Sequence, residues 1–130
     1  MVEAVQHRAT KIITQLKNKP YVERLKTLKL PSLVYQRRRG DMINMYKIKN
    51  GLVRLDSTKL FSPLKTYITR GHNQRIFKNC VTKTARKKSF SQRVVNNWNS
   101  LSSHVISSPT LNTFKERLDI FWKNHHYDVE

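Results

Sequence analysis

Between Asp56 and Glu116 the chain runs for 59 residues, positions 57 to 115, without a carboxylate. Eleven Lys and Arg fall inside that stretch, from Lys59 to Lys115. A segment of one sign repels itself, and the repulsion costs stability unless counterions or a bound anion relieve it. A second concentration of charge is the run Arg37-Arg38-Arg39. Elsewhere acids and bases mix, as in Glu23-Arg24 and Glu116-Arg117-Leu118-Asp119. A solvated face would explain any one of these clusters, but a long acid-free stretch points to a polyanionic partner, with nucleic acid the foremost.

The rest of the composition sets the frame. The chain has 130 residues and a formal net charge of +18, with 38% hydrophobic residues. That length supports one domain with one modest core. No apolar run approaches the roughly 18 residues of a membrane span, so no membrane partner is expected. The opening Met1-Val2-Glu3-Ala4 lacks the basic and apolar regions of a secretory signal. With Cys80 as the lone cysteine, no internal disulfide can form. The expected location is intracellular, nuclear or cytoplasmic, and not secreted.

Helical periodicity occupies both ends of the chain. Val2, Val5, Ala9, Ile12, Ile13 and Leu16 recur at three- and four-residue steps, which predicts an amphipathic helix over 2–17 with that stripe inward. Pro20 suits the start of a short second helix facing Tyr21, Leu25 and Leu28 inward. Ser32 is an N-cap candidate for a third helix that closes at Asn50-Gly51. In that helix Tyr35, Met42, Ile43 and Tyr46 form the stripe. Arg39 falls within it, Arg38 flanks it, and Arg37 points away and can pair with Asp41 at i,i+4. From Ser89 the pattern returns in Phe90, Val94, Trp98 and Leu101, and again in Leu111, Phe114, Leu118, Phe121 and Trp122. Trp98 and Trp122 therefore read as core or partner-facing anchors.

Residues 52–88 lose the helical period. Thr66–Thr69, Gln74–Phe77 and Cys80–Thr82 have the β-branched and aromatic content of short strands, with Arg70–Asn73 as a turn. The expected architecture is mainly α, with about five amphipathic helices in a small bundle and an irregular basic middle segment with room for a short β-hairpin. The parts divide as 1–51, a helical N-terminal region; 52–88, the basic middle; 89–124, a helix pair; and 125–130, a fraying tail. Together they make one domain.

The chemistry-bearing residues are sparse. Glu3, Glu23, Asp41, Asp56, Glu116, Asp119, Asp128 and Glu130 are scattered, whereas two-metal phosphoryl chemistry needs clustered carboxylates. His125 and His126 are adjacent rather than at metal-ligand spacing, so no metal is expected. A Cys80–His72 nucleophile pair competes with the far commoner inert thiol. No glycine-rich phosphate loop occurs. No catalytic residue, cofactor or small-molecule substrate is expected, and the chain by itself is not expected to be an enzyme. Tyr67 and Phe77 lie within the acid-free stretch and are candidates for base stacking, or equally for packing.

Six blocks of sequence carry a resemblance. They are Val5–Ile13 (VQHRATKII); Tyr21–Leu25 with Leu30–Leu33 (YVERL, LPSL); and Arg38–Ile43 with Tyr46–Ile48 and Gly51 (RRGDMI, YKI, G). Then follow Arg70–His72 (RGH), Phe90–Leu101 (FSQRVVNNWNSL) and Phe114–Asp119 (FKERLD). In this order they resemble the C-terminal segment, late thumb and beyond, of reverse transcriptases of non-LTR retrotransposons of the jockey-like group. The family's Arg-Arg reads His7-Arg8 here, and its L-P-E-E-V reads Leu101–Val105, so part of the acid-free stretch is a departure from the family.

The resemblance implies a C-terminal fragment of an RNA-directed DNA polymerase without the palm aspartates and the upstream endonuclease. Its expected role is to hold template RNA or primer–template by the backbone. The expected phosphate contacts are Arg37, Arg38, Arg70, Arg75, Lys83, Arg86, Lys87 and Lys88, and the expected protein partner is the parent's palm and thumb. Two other readings stay open. One is a structural packing segment with an incidental basic surface, the other a freestanding basic regulator that binds nucleic acid.

Overall fold

A computed structural model describes residues 2–62 and 71–129, with the side chain of Val2 excluded. The described chain is mainly helical. Five helices have eight or more residues: α1 Val2–Lys11, α2 Tyr21–Leu28, α3 Leu33–Lys49, and then α6 Phe90–Ser100 and α8 Leu111–Phe121. Three single-turn helices complete the set, α4 Ser57–Leu60, α5 Thr84–Lys87 and α7 Ser103–Ile106. No helix among the described residues is long and apolar enough to cross a membrane. Two compact units divide the chain. The first comprises residues 1–39 and 122–130, and the second residues 40–121, so α3 contributes its first turns to one and the rest to the other.

In the first unit, α1 stops at Lys11, followed by a separate 3₁₀ turn at Thr14–Leu16, rather than running through to residue 17. Its orientation reverses the expectation for the apolar stripe. Val5 and Ile12 are 68% and 83% exposed, and among the described residues of that stripe only Leu16 is buried. The inward face is polar because polar partners await it. Tyr21 donates its hydroxyl proton to the Glu3 carboxylate, and the Val34 backbone N–H donates to the other oxygen of Glu3. Gln6 donates to the Pro31 carbonyl. Burial, then the bond to Glu3, pushes the Tyr21 hydroxyl far above its ordinary pKa. Arg24 is 2% exposed and donates to the carbonyls of Lys19 and His7 while lying over the Tyr21 ring.

Helix α2 ends in a Schellman motif. Leu30 N–H returns to the Leu25 carbonyl and Lys29 N–H to the Lys26 carbonyl. That geometry puts Lys29 at φ +55°, in the left-handed region where a side chain is strained. Lys29→Gly is therefore expected to raise stability by about 0.5 kcal/mol, read as a higher midpoint in urea, while Lys29→Val lowers it.

Ser32 caps α3 as its position predicts. Its Oγ accepts from Tyr35 N–H at 3.1 Å and donates to the Asp128 carbonyl at 2.6 Å, and its own N–H donates to the His126 carbonyl at 2.8 Å. Those last two bonds hold residues 126–128, which the sequence alone leaves fraying. Tyr35 packs against Trp122 and the His126 ring.

The second unit has the larger core. Met42, Met45, Ile76, Val94, Trp98, Phe114 and Leu118 are all 0% exposed. Tyr46 stacks on Phe114 with centroids 4.5 Å apart and donates its hydroxyl to the Ser108 carbonyl at 2.7 Å. Gly51 takes φ +67° just beyond α3, the left-handed terminus predicted for it. Phe121 departs from its predicted stripe and is exposed, as is Ile120.

The predicted hairpin is not formed among the described residues. The Thr66–Thr69 half lies outside them, and Gln74–Phe77 and Cys80–Thr82 are not strands. Ile76 is buried and forms an isolated β-bridge, and the Asn99 side chain also binds its backbone. Asn99 accepts from Ile76 N–H at 2.9 Å and donates to the Ile76 carbonyl at 2.8 Å. Phe77 N–H donates to the Ser62 carbonyl.

Candidate nucleic-acid interface

The second unit presents its basic residues on a frame set by α6. Phe90, Val94 and Trp98 turn one side of that helix inward, which leaves Gln92, Arg93 and Asn96 on the outer side. At its C-terminal end the helix clamps the segment 72–76. Trp98 Nε1–H donates to the Gln74 carbonyl at 3.0 Å, and the Asn99 amide holds Ile76. His72 joins the clamp from the other side. Its Nε2 lies 2.9 Å from the Trp98 carbonyl, which can only accept, and its Nδ1 accepts from Gln74 N–H at 3.2 Å. The ring is thus the neutral tautomer with its proton on Nε2.

Burial is the main cause that lowers the His72 pKa from its ordinary 6.5, with Arg75 and Lys49 adding to the effect and the Trp98 carbonyl opposing it. The unfolded chain therefore takes up the His72 proton before the folded one does. Stability from the neutral ring is full above pH about 6.5 and is lost as pH falls from there toward the folded value. Thermal melts from pH 7.5 to 5 are expected to show a falling midpoint, with a shallower fall in His72→Gln.

At the other end of α6 sits the ion pair that organises the helix start. Arg93 donates from Nε and from an Nη to the two oxygens of Asp41, both at 2.8 Å. Those bonds to Asp41 raise the Arg93 pKa despite partial burial. A third bond runs to the Lys88 carbonyl at 3.3 Å, and the guanidinium lies 5.8 Å from the Phe90 ring centroid. Asp41 thus supplies the long acid-free stretch with a carboxylate from outside it, and it does so rather than closing the i,i+4 pair with Arg37.

The predicted contact residues fall into three groups. Lys83, Arg86, Lys87 and Lys88 are all exposed on and beside α5. Arg75 belongs to the same unit but is only half exposed, its side chain laid against Gly71, where an added Cβ would meet Arg75 Cδ at 3.2 Å. Gly71 also holds φ +100°, a conformation that favours glycine there. Arg37, exposed, and Arg38, half exposed, belong to the first unit. Arg70 lies outside the described residues.

Two cations that sequence reasoning left out of the contact set stand with this group. Lys78 and Arg93 join Lys87 around an open groove of about 600 Å³, together with Asn79, Cys80, Val81, Gln92 and Asn96. Their signal in the sequence is the helical wheel: Gln92, Arg93 and Asn96 all lie off the Phe90–Val94–Trp98 stripe. Among the described residues no group of three or more His, Cys, Asp or Glu could hold a metal ion. Cys80 is exposed, and the buried His72 is committed to the α6 clamp. No family model matches the chain, and neither a curated protein nor a solved structure is detectably similar to it.

Proposed function

We propose that the chain binds nucleic acid through its phosphate backbone, as a non-catalytic segment of an RNA-directed DNA polymerase of the non-LTR, jockey-like kind. The observation that carries this reading is the exposed cluster Lys83, Arg86, Lys87 and Lys88, set in a stretch that offers no carboxylate of its own. The residues of the family resemblance add support, because its blocks depend on one another structurally. Asp41 of the RRGDMI block pairs with Arg93 of the FSQRVVNNWNSL block, and Trp98 of the latter receives His72 of the RGH block.

Phosphate binding makes a quantitative demand. If about six cations engage a single strand, log affinity falls against log salt with a slope near −4. Replacing Arg86, Lys87 and Lys88 together by alanine is expected to make that slope shallower by about 2. Fluorescence anisotropy across a salt series measures both. Weak binding that ignores salt overturns the proposal.

A second reading, a packing segment for the parent polymerase, is favoured by one observation. Val5 on α1 and Ile12 just beyond its end are exposed, the surface a missing neighbour would cover. It predicts that an apolar-surface dye binds the isolated chain and that Val5→Lys/Ile12→Lys abolishes the signal without lowering the melting midpoint. Dye binding unchanged in that variant counts against it.

A further inference from the structure

The groove on the outer side of α6 does more than collect charge. Gln92 and Asn96 stand at i,i+4 on one helix, so their amides face the same way, four residues apart, into a groove that also receives Lys78 and Lys87. Each amide offers a donor and an acceptor in one plane, the pattern that matches the edge of a nucleobase and that a phosphate oxygen cannot use in full. Three of the five Arg93 N–H groups are turned to Asp41 and the Lys88 carbonyl, which ties the guanidinium to the protein. Arg93 thus fixes one wall. Phe77, next in the chain to Lys78, is 50% exposed. The volume, about 600 Å³, is within the range of about 300–1,000 Å³ typical of small-ligand sites.

We propose that this groove seats a nucleotide of a single strand, with Lys78 and Lys87 on its phosphates and Gln92 and Asn96 on the hydrogen-bonding edge of its base. The proposal rests on the nucleic-acid reading above and deepens it: the chain discriminates among bases, and it takes an unpaired strand rather than a duplex. The edge assigned to the amides is the Watson–Crick edge, which pairing would occupy, so the base must be unpaired.

Cys80 supplies the test, being the chain's single cysteine, exposed, and part of the groove. Its rate of alkylation by iodoacetamide is measured on the full chain with poly(A), poly(C) and poly(U) oligonucleotides as RNA and as DNA, and with a duplex. At ten times the dissociation constant of the preferred strand the rate is expected to fall about tenfold, while a duplex bound to the same extent leaves it unchanged. Gln92→Ala/Asn96→Ala replaces one half-exposed and one exposed residue. It is expected to narrow the affinity gap between the best and worst homopolymer by at least about fivefold while keeping the salt slope.

Salt-dependent binding with Cys80 unprotected, or a homopolymer preference that survives the double variant, overturns the groove assignment and leaves the backbone-binding function standing. Protection of Cys80 by duplex as strongly as by single strands also overturns it. Absence of any salt-dependent binding overturns both.

Discussion

Replacing Trp98 by alanine is expected to remove about 3–5 kcal/mol of folding stability, enough to leave a domain of ordinary stability near its unfolding threshold. Trp98 is 0% exposed and sits between the His72 ring, 5.9 Å away edge-on, and the Phe114 ring at 6.4 Å. Its removal opens a large cavity and also strands the Gln74 carbonyl that its Nε1–H satisfies. Trp98→Phe separates the two costs. It keeps most of the packing and loses the hydrogen bond, so about 1–2 kcal/mol is expected. Urea unfolding followed by circular dichroism measures both, and hydrogen exchange adds a local readout. In Trp98→Phe the amides of residues 74–76 should lose protection ahead of those in α8. Equal losses in the two variants would show that volume contributes nothing beyond the hydrogen bond, and no loss in Trp98→Phe would show that the clamp contributes nothing beyond volume.

The helices were legible because their signals are local. Ser32 before α3 and Gly51 after it are short-range chemistry, and Met42, Tyr46, Trp98, Phe114 and Leu118 announce their inward faces by spacing alone. Helix α1 shows the limit of that signal. Val5, Ala9 and Ile12 mark one face, but Glu3, Gln6, His7 and Thr10 mark the opposite face with the same period. Amphipathicity tells that two faces exist. Which of them is covered depends on Tyr21, Pro31 and Val34, whose donors and acceptors lie more than a dozen residues away in sequence.

The candidate site divides in the same way. Charge is additive along a chain, so the cluster around α5 could be read directly from Lys83 to Lys88. The groove could not be, since it needs Lys78 and Cys80 brought beside α6, and that approach is set by Asn99 and Trp98 gripping the backbone at residues 74 and 76. Asn99 looked like an ordinary polar residue near a helix end. Its amide grips the Ile76 backbone, a contact that β-propensity alone could not reveal.

The ion pair between Asp41 and Arg93 yields an asymmetric expectation. The Asp41 side chain is 10% exposed and that of Arg93 37%, so the two partners suffer differently when left alone. Arg93→Ala abandons a nearly buried carboxylate and is expected to cost about 2–4 kcal/mol, the upper end held down by the solvent that reaches the arginine side. Asp41→Asn leaves a guanidinium that can swing toward water, and about 1 kcal/mol is expected. The double variant should be less damaged than the two losses added, because the carboxylate abandoned in Arg93→Ala is then gone. Chemical denaturation of the four proteins measures the cycle. A larger loss for Asp41→Asn than for Arg93→Ala would show that the arginine, not the aspartate, carries the desolvation cost. The same pair fixes a wall of the groove, so Asp41→Asn should also weaken discrimination among homopolymer strands while the chain stays folded. The carboxylate that stabilises α6, supplied from outside the acid-free stretch, is therefore also the one that fixes its arginine in the groove wall.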